Sequence, residues 1–201
     1  MTAALHPKHP FRNVALFGAV AVWVLVVCVG LKLFVGYKIT PGVAAVAPSQ
    51  WPRSSLPRVA DQSTLVMFVH PRCPCTRASL AELDAIMRLR AAQAFVVFMR
   101  PDGAKPGWER TDSWDSAGRI PHTTRVIDEG GLEAKRFGAA TSGQLVVYDP
   151  NGHLVFAGGI TDSRGHLGDN VGRRTVVELL AQHQARHEHP VFGCPLASVE
   201  R

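Results

Sequence analysis

Two cysteines, Cys73 and Cys75, stand one residue apart directly after an apolar run at 65–69. The run predicts a strand buried on both faces, and the residues that follow predict a helix over 75–91. The two thiols therefore lie at a helix N-terminus, where backbone N–H groups and the helix dipole favour thiolate over thiol. Cysteines at this spacing predict either thiol–disulfide exchange or thiolate metal binding.

Charged and conformationally restricted residues surround the pair. Arg72 and Arg77 add positive potential near the sulfurs, and Pro74 suits the first helical position, where its missing N–H would be unpaired anyway. His70 has two interpretations. It either tunes Cys73 or binds a metal, or it is a partly buried residue at the end of a strand.

A third cysteine, Cys194, lies near the C-terminus after the last predicted helix. It has three interpretations: a thiol that relays a disulfide from Cys73, a metal ligand, or a free cysteine on a tail. As a ligand it would join Cys73 and Cys75 in a three-thiolate site, to which His70 or His189 could add an imidazole. Soft thiolates with imidazole suit Cu(I) or Zn.

A polar loop punctuated by glycines spans 158–170 and follows a predicted hairpin. Loops of this kind carry function on rigid scaffolds, and Arg164 and His166 could bind an anionic or carbonyl group of a partner. Asp169 or Asn170 is the expected cap of the last helix. A solvated helix end is the favoured interpretation of the histidines of the polar tail, His183, His187 and His189.

The first sixty residues predict a membrane anchor and a tether. Residues 14–31 carry no charged side chain, and an 18-residue helix rises ~27 Å, so a span over 14–36 reaches across a bilayer after a short segment at 1–13. We expect an uncleaved signal anchor, with Cys28 packed inertly inside it. The proline-rich stretch 37–60 predicts a semi-rigid tether.

The positive charges on the two sides of the predicted span are nearly balanced, so they do not fix its orientation in the membrane. We therefore take the orientation that is usual for such anchors. The domain would lie on the extracytoplasmic, periplasmic side of the inner membrane, where disulfides persist. The net charge of +6 is scattered along the chain, so we expect membrane contact and no nucleic-acid binding.

The remaining pattern predicts one α/β domain over 61–187 and a tail over 188–201 that carries Cys194. Strands are expected at 65–69, 95–99, 124–127, 144–148 and 153–157, and helices at 75–91, about 114–118, 131–137 and 170–186. Asn151-Gly152 between the last two strands is a strong hairpin signal. This order gives a mixed β-sheet with helices on both faces.

Over about 63–186 the chain resembles the thioredoxin superfamily. The resemblance rests on the strand that ends in His70-Pro71-Arg72-Cys73, on the segment 134–138, and on the hairpin 148–152. A narrower likeness, over 70–79, 136–143, 158–170 and 191–196, is to membrane-anchored thioredoxin-like proteins named RedB. The resemblance implies an exposed nucleophile at Cys73 and a resolving thiol at Cys75.

The chain departs from the thioredoxin pattern in two places. One residue separates the cysteines instead of two, so their disulfide would close a tighter, strained and more oxidising ring. The family also places a cis-proline opposite the sulfur, which helps to dock the substrate backbone and keeps metal off the thiols. The corresponding stretch 138–144 has no proline, so Thr141 or Ser142 must face the thiols.

These observations predict thiol–disulfide exchange with a protein partner that bears a thiol or a disulfide, with no cofactor required. One alternative is a metallochaperone that holds Cu(I) or Zn through Cys73, Cys75 and Cys194. Another is an interaction module that keeps the fold without catalysis.

Overall fold

The chain divides into two units, Met1–Tyr37 and Lys38–Arg201, in a computed structural model that describes residues 10–43, 46–90, 92–182 and 187–196. Helix α1 spans Pro10–Ile39 and accounts for the described residues of the first unit. The stretch Asn13–Ile39 is long and apolar enough to cross a membrane, and it contains the predicted span at 14–36.

The second unit is an α/β domain. Its elements in chain order are β1 (Thr64–Val69), α2 (Thr76–Leu89), β2 (Gln93–Arg100), α3 (Asp112–Ala117), β3 (Thr123–Glu129), α4 (Leu132–Arg136), β4 (Gln144–Tyr148), β5 (Leu154–Gly158), α5 (Val171–Gln182) and β6 (His187–His189). They form one mixed sheet in the order β3-β2-β1-β4-β5-β6.

The sheet changes direction at its centre. β1 runs parallel to β2 and β2 parallel to β3, whereas β4 is antiparallel to both β1 and β5. The predicted mixed sheet with flanking helices is therefore confirmed. β1 lies in the middle, so the turn that follows it, with the two cysteines, leaves the sheet at a central position.

Two hydrophobic clusters cover the two faces of the sheet. All six residues of β1 are buried, and alternate side chains enter opposite clusters: Leu65 and Met67 enter one, Val66 and Phe68 the other. Helices α2 and α5 cover the first face, and α4 covers the second. Burial on both faces is why β1 is a continuous apolar run without polar alternation.

The predicted strands and helices agree with the structure apart from their ends, with two larger differences. β3 is longer than the predicted 124–127 and pairs along its length with β2. β6 was not predicted at all, because His187–His189 has no apolar pattern and joins the edge of the sheet through backbone pairing with β5. The prediction of a solvated helix end there was wrong for His187 and His189, and His183 lies outside the described residues.

The predicted tether also differs from the structure, because residues 46–59 pack on the domain; we call them the connecting segment. Ala47 and Leu56 are buried in the second cluster. The Trp51 ring meets Phe137 and Tyr148 edge-on, with centroids 5.1 and 5.2 Å away. Apolar side chains among the prolines thus tie the segment down, and it is not a free spacer.

The predicted tail is likewise part of the domain. Residues 190–196, which we call the C-terminal strap, include the buried side chains Val191, Phe192 and Leu196. Val191 accepts a backbone hydrogen bond from Gly42 at 2.8 Å. The strap is therefore anchored, and it carries Cys194 over the body of the sheet.

Candidate functional site

The turn between β1 and α2 presents two cysteines. Cys75 is the N-cap residue of α2, and Cys73 lies in the preceding turn. The Cys73 N–H donates to the His70 carbonyl at 3.0 Å, and the Thr76 N–H donates to the Cys73 carbonyl at 3.1 Å. Pro74 lies in this turn, before α2 begins at Thr76, so the prediction that it occupies the first helical position was wrong.

The sulfur of Cys73 contacts two other thiols. The Sγ of Cys194 lies 2.8 Å from the Sγ of Cys73, although the two residues are 121 positions apart in the chain. Cys75 also hydrogen-bonds the Cys73 sulfur through its side chain. All three cysteines are free thiols here. The tertiary structure thus brings Cys194 to Cys73 and Cys75; the fourth cysteine, Cys28, lies in α1.

Hydrogen bonds distinguish Cys73 from the other two thiols. Burial alone would raise the pKa of Cys73, but hydrogen bonds lower it overall. The donors are the Cys194 thiol and the backbone N–H groups of Cys194, Cys75 and Thr76. Burial and contact with Cys73 raise the pKa of Cys75, and they raise the pKa of Cys194 to about 12. Cys73 is thus the favoured thiolate of the cluster.

The thiol cluster is covered. Cys73 is 3% exposed and Cys75 is 6% exposed. The resemblance to thioredoxins implied an exposed nucleophile, and this expectation was wrong for Cys73, because the strap lays Cys194 against it. The strap is thus part of what covers the Cys73 sulfur.

Backbone pairing fixes the strap beside residues 140–142. The Ser142 N–H donates to the Cys194 carbonyl at 2.8 Å, and the Leu196 N–H donates to the Ala140 carbonyl at 2.9 Å. Both bonds lie directly after the Cys194 side chain in the chain. The strap is therefore held like an added strand, the mode by which many proteins bind an extended peptide.

A glycine allows the close approach of the strap. A Cβ atom on Gly193 would collide with the carbonyl oxygen of Ser142, so only glycine lets the two backbones come this near. Sequence analysis missed this role of Gly193. The signal was present in its position directly before Cys194.

Comparisons with known proteins bear on the fold. No protein-family model matches the chain, and no curated protein matches it. A solved structure of an uncharacterized conserved protein from Geobacillus kaustophilus is similar, with 17% identity, 81% of this chain and 94% of that chain covered, and a TM-score of 0.57. A hypothetical protein from Sinorhizobium meliloti has 19% identity, coverage of 79% and 94%, and a TM-score of 0.56.

An exposed lipoprotein thioredoxin from Streptococcus pneumoniae is also similar, with 15% identity, 60% of this chain and 84% of that chain covered, and a TM-score of 0.44. The structure contains the three features on which the predicted resemblance rests: β1 leads into the cysteine turn, the segment 134–138 precedes β4, and β4 and β5 form an antiparallel hairpin. The fold is thioredoxin-like.

In this thioredoxin-like domain, Ser142 is the residue that faces the cysteine turn. Its Oγ accepts a hydrogen bond from the His70 N–H at 2.9 Å and lies 3.0 Å from the Thr76 hydroxyl. The Thr141 hydroxyl instead donates to the Val43 carbonyl at 3.0 Å. Of the two candidates for the facing position, the structure therefore selects Ser142. The contribution of Thr76 was missed by sequence analysis.

Arg164 supplies the positive charge beside the thiols. Its guanidinium lowers the pKa of Cys75 and of Cys194, against the larger effects that raise them. It also donates to the Gly193 carbonyl of the strap and, at 3.4 Å, to the Thr40 carbonyl. Arg164 thus binds carbonyl groups of its own chain, and its binding to a group of a partner stays a prediction.

Buried polar contacts hold the loop that carries Arg164. Glu82 of α2 is 3% exposed and accepts hydrogen bonds from the Gly168 N–H and the Arg173 guanidinium, both at 2.7 Å. Asn170 caps α5 by accepting from the Arg173 N–H at 2.8 Å, as predicted. His166 lies in the same loop, where its N–H donates to the Ser163 carbonyl at 3.2 Å. The loop brings Arg164, rather than His166, to the thiols.

Arg72 and Arg77 act elsewhere. The Arg72 guanidinium stacks 4.6 Å from the centre of the Trp108 ring. Arg77 forms an exposed ion pair with Asp112 at 3.8 Å. Neither arginine is among the leading groups that shift the pKa values of the three thiols, whereas Arg164 is one for Cys75 and Cys194.

His70 is a packed, neutral residue. Its Nδ1 accepts a hydrogen bond from the Arg72 N–H at 3.2 Å, and its ring meets Trp108 edge-on at 5.5 Å. Burial lowers the pKa of His70, and the charge of Arg72 lowers it further. At neutral pH the imidazole is uncharged, which agrees with the structural interpretation of this residue.

The predicted metal ligands are cysteine and histidine side chains. In the part of the chain that the structure describes, no group of three His, Cys, Asp or Glu side chains is arranged to hold a metal ion. His189 belongs to the edge strand β6, and its Nε2 lies 3.6 Å from the carboxylate of Asp162.

Proposed function

We propose that the protein is a membrane-anchored thiol–disulfide exchange protein in which Cys73 is the nucleophile. The observation that carries the proposal is the environment of the Cys73 sulfur. Three backbone N–H groups and the thiol of Cys194 donate to it at the start of a helix. Donors of this kind stabilise a thiolate, which is the attacking species in exchange.

The reaction begins when the Cys73 thiolate attacks one sulfur of a partner disulfide. A Cys73–partner mixed disulfide forms, the partner's own S–S bond breaks, and its second sulfur leaves as a thiolate that takes up a proton. A second thiol of this protein must then attack Cys73 and release the partner. Sequence analysis gave this role to Cys75. The same steps in reverse oxidise a partner dithiol.

The location we propose is the periplasmic side of the inner membrane, with α1 as a single-pass anchor. The length and apolar character of α1 support an anchor. An oxidising compartment suits a protein that cycles between dithiol and disulfide. The narrower likeness to RedB-type proteins belongs to this proposal.

The test uses the full chain in detergent micelles, with Cys28→Ser as the background so that only the three clustered thiols are counted. Free thiols are titrated after equilibration in dithiothreitol and glutathione buffers of graded potential. We expect a reversible two-electron couple that Cys73→Ser abolishes. A couple that persists in Cys73→Ser would overturn the proposal.

A second candidate is a metallochaperone for Cu(I) or Zn, suggested by the contacts of the Cys73 sulfur with the thiols of Cys194 and Cys75. Two thiolates bound tetrahedrally to zinc at ~2.3 Å stand roughly 3.8 Å apart. The sulfurs of Cys73 and Cys194 are 2.8 Å apart, so metal binding would require them to separate.

Metal analysis of the same protein separates the candidates. Stoichiometric Cu(I) or Zn that survives dialysis and is lost in Cys194→Ser would favour the metallochaperone. Absence of both a redox couple and bound metal would favour the non-catalytic interaction module.

A further inference from the structure

We infer that Cys194, rather than Cys75, is the thiol that resolves the mixed disulfide at Cys73. The inference rests on the proposed function and assigns the step that function leaves open. Its product is a disulfide between the turn before α2 and the C-terminal strap, which joins two distant parts of the chain.

Direct contact is the first argument. The Cys194 Sγ lies 2.8 Å from the Cys73 Sγ, which leaves no room for another atom between them. An S–S bond is about 2.05 Å long, so bond formation requires a movement of less than about 1 Å. Intramolecular reactions between groups held this near proceed with high effective concentrations.

The second argument is the way the strap aims Cys194. The Cys194 carbonyl and the Leu196 N–H pair with residues 140–142, which fixes the backbone directly after the Cys194 side chain. Arg164 holds Gly193, the residue before Cys194. The strap therefore positions a cysteine against the nucleophile as an extended peptide from a partner would.

The third argument is the constraint on Cys75. Its carbonyl accepts the first hydrogen bonds of α2, from Ala78 at 3.1 Å and Ser79 at 3.4 Å, and the Cys73 carbonyl accepts the bond from Thr76. A Cys73–Cys75 disulfide would close a small ring through this turn and strain it. A Cys73–Cys194 disulfide links separate segments and leaves the start of α2 intact.

The resolving step balances as follows. Cys194 loses its proton, its sulfur attacks the Cys73 Sγ, and a Cys73–Cys194 disulfide forms. The Cys73–partner bond breaks, and the partner sulfur leaves as a thiolate that gains the proton. Over both steps the partner disulfide is reduced by two electrons, and the two thiols of this protein are oxidised. Arg164 acts as a positioning residue that favours the Cys194 thiolate.

The test maps the disulfide in the full chain, on the Cys28→Ser background, after oxidation with glutathione disulfide. Trypsin releases residues 73–77 as one peptide and residues 187–201 as another, because Arg72, Arg77 and Arg186 precede the cut sites. Mass spectrometry before and after reduction then reports the cross-link. We expect a link between the two peptides in the parent protein and in Cys75→Ser.

Cys194→Ser supplies the decisive comparison, with Cys75→Ser as its matched control. We expect a glutathione adduct to accumulate on Cys73 in Cys194→Ser and to resolve at least ~10-fold more slowly than in Cys75→Ser. A Cys73–Cys75 disulfide that forms in Cys194→Ser at the rate of the parent would overturn the inference while leaving exchange at Cys73 intact. Failure of the proposed function is distinct, because no adduct would then form on Cys73 in any variant.

Discussion

At the scale of single residues, the main feature of the site is that its three thiols have different surroundings and therefore different pKa values. Cys73 receives backbone N–H donors from both α2 and the strap, whereas Cys75 and Cys194 are buried against a sulfur that favours negative charge. The same cluster therefore lowers one pKa and raises two. This separation of pKa values suits the proposed function, in which Cys73 attacks as a thiolate while a second thiol stays protonated until the resolving step.

The lowered pKa of Cys73 predicts the pH dependence of its reactivity. Because the thiolate is the reactive form, alkylation by iodoacetamide should continue to a lower pH than for an ordinary thiol, whose pKa is about 8.5. The measurement is the rate of Cys73 modification against pH, in the Cys28→Ser background. An inflection at or above the ordinary value would contradict the assignment.

The hydrogen bond from the Cys194 thiol to the Cys73 sulfur can be tested by the same measurement, the rate of Cys73 modification against pH. Cys194→Ala removes the S–H donor, so the inflection for Cys73 should move upward. Cys75→Ala, which removes the other neighbouring thiol, is the comparison that shows whether one contact dominates. An unchanged profile in Cys194→Ala would mean that the Cys73 thiolate does not depend on this hydrogen bond.

At the scale of elements, the strap and the connecting segment decide what the thioredoxin-like domain can do. Both lie outside the predicted domain boundaries of 61–187, and both pack into its core. The strap covers the thiols and delivers Cys194. The connecting segment completes the hydrophobic cluster on the face of the sheet that carries α4.

Loosening the strap should expose Cys73. Gly193→Ala places a Cβ against the Ser142 carbonyl and should displace the strap, so alkylation of Cys73 should become roughly tenfold faster, as expected when about 1.4 kcal/mol of a covering contact is lost. The measurement is the modification rate at fixed pH. Gly36→Ala is the matched control, because its Cβ would meet nothing within 4 Å. Equal rates in both variants would show that the strap does not limit access.

The connecting segment should contribute stability through Glu133. Burial alone would raise the pKa of Glu133, but hydrogen bonds from Ser54, Ser55 and Arg136 lower it overall. A carboxylate with a depressed folded-state pKa stabilises the fold above its unfolded value, about 4.3, and this contribution is lost as the pH falls through the folded value. Glu133→Gln should therefore destabilise the domain by about 1–2 kcal/mol at neutral pH.

The measurement is denaturant unfolding of the parent and the variant at neutral and acidic pH. The difference between them should shrink in acid, where the parent carboxylate is protonated. Glu178→Gln is a control on another helix, α5. A difference between Glu133→Gln and the parent that is independent of pH would contradict the ionic role of Glu133.

At the scale of the whole molecule, the proposed function requires the domain to lie outside the cytoplasm. A phosphatase that is active only after export, fused to the C-terminus, should be active, and a fluorescent protein that folds only in the cytoplasm should stay dark there. Cell fluorescence and phosphatase activity are measured side by side. The opposite pattern would place the thiols in a reducing compartment and remove the basis for a stable disulfide.

Local sequence patterns determined much of this protein. The apolar span, the buried strand before Cys73, the start of α2 and the Asn151-Gly152 hairpin were predictable, because each depends on neighbours within a few residues. The importance of Cys73 and Cys75 was visible for the same reason. Cys194 was a candidate only, since nothing near it in the chain indicates where its side chain goes.

The tertiary structure alone decided which residues meet. Cys194 reaches Cys73 because the strap pairs through its backbone with residues 140–142, and backbone pairing leaves no mark on side-chain pattern. Arg164 is decided by long-range packing in the same way, since a loop fixed by Glu82 carries it to the thiols. The sequence by itself determined that two thiols stand at the start of a helix. Long-range packing decided that Cys73 is covered and that a thiol from the other end of the chain contacts it.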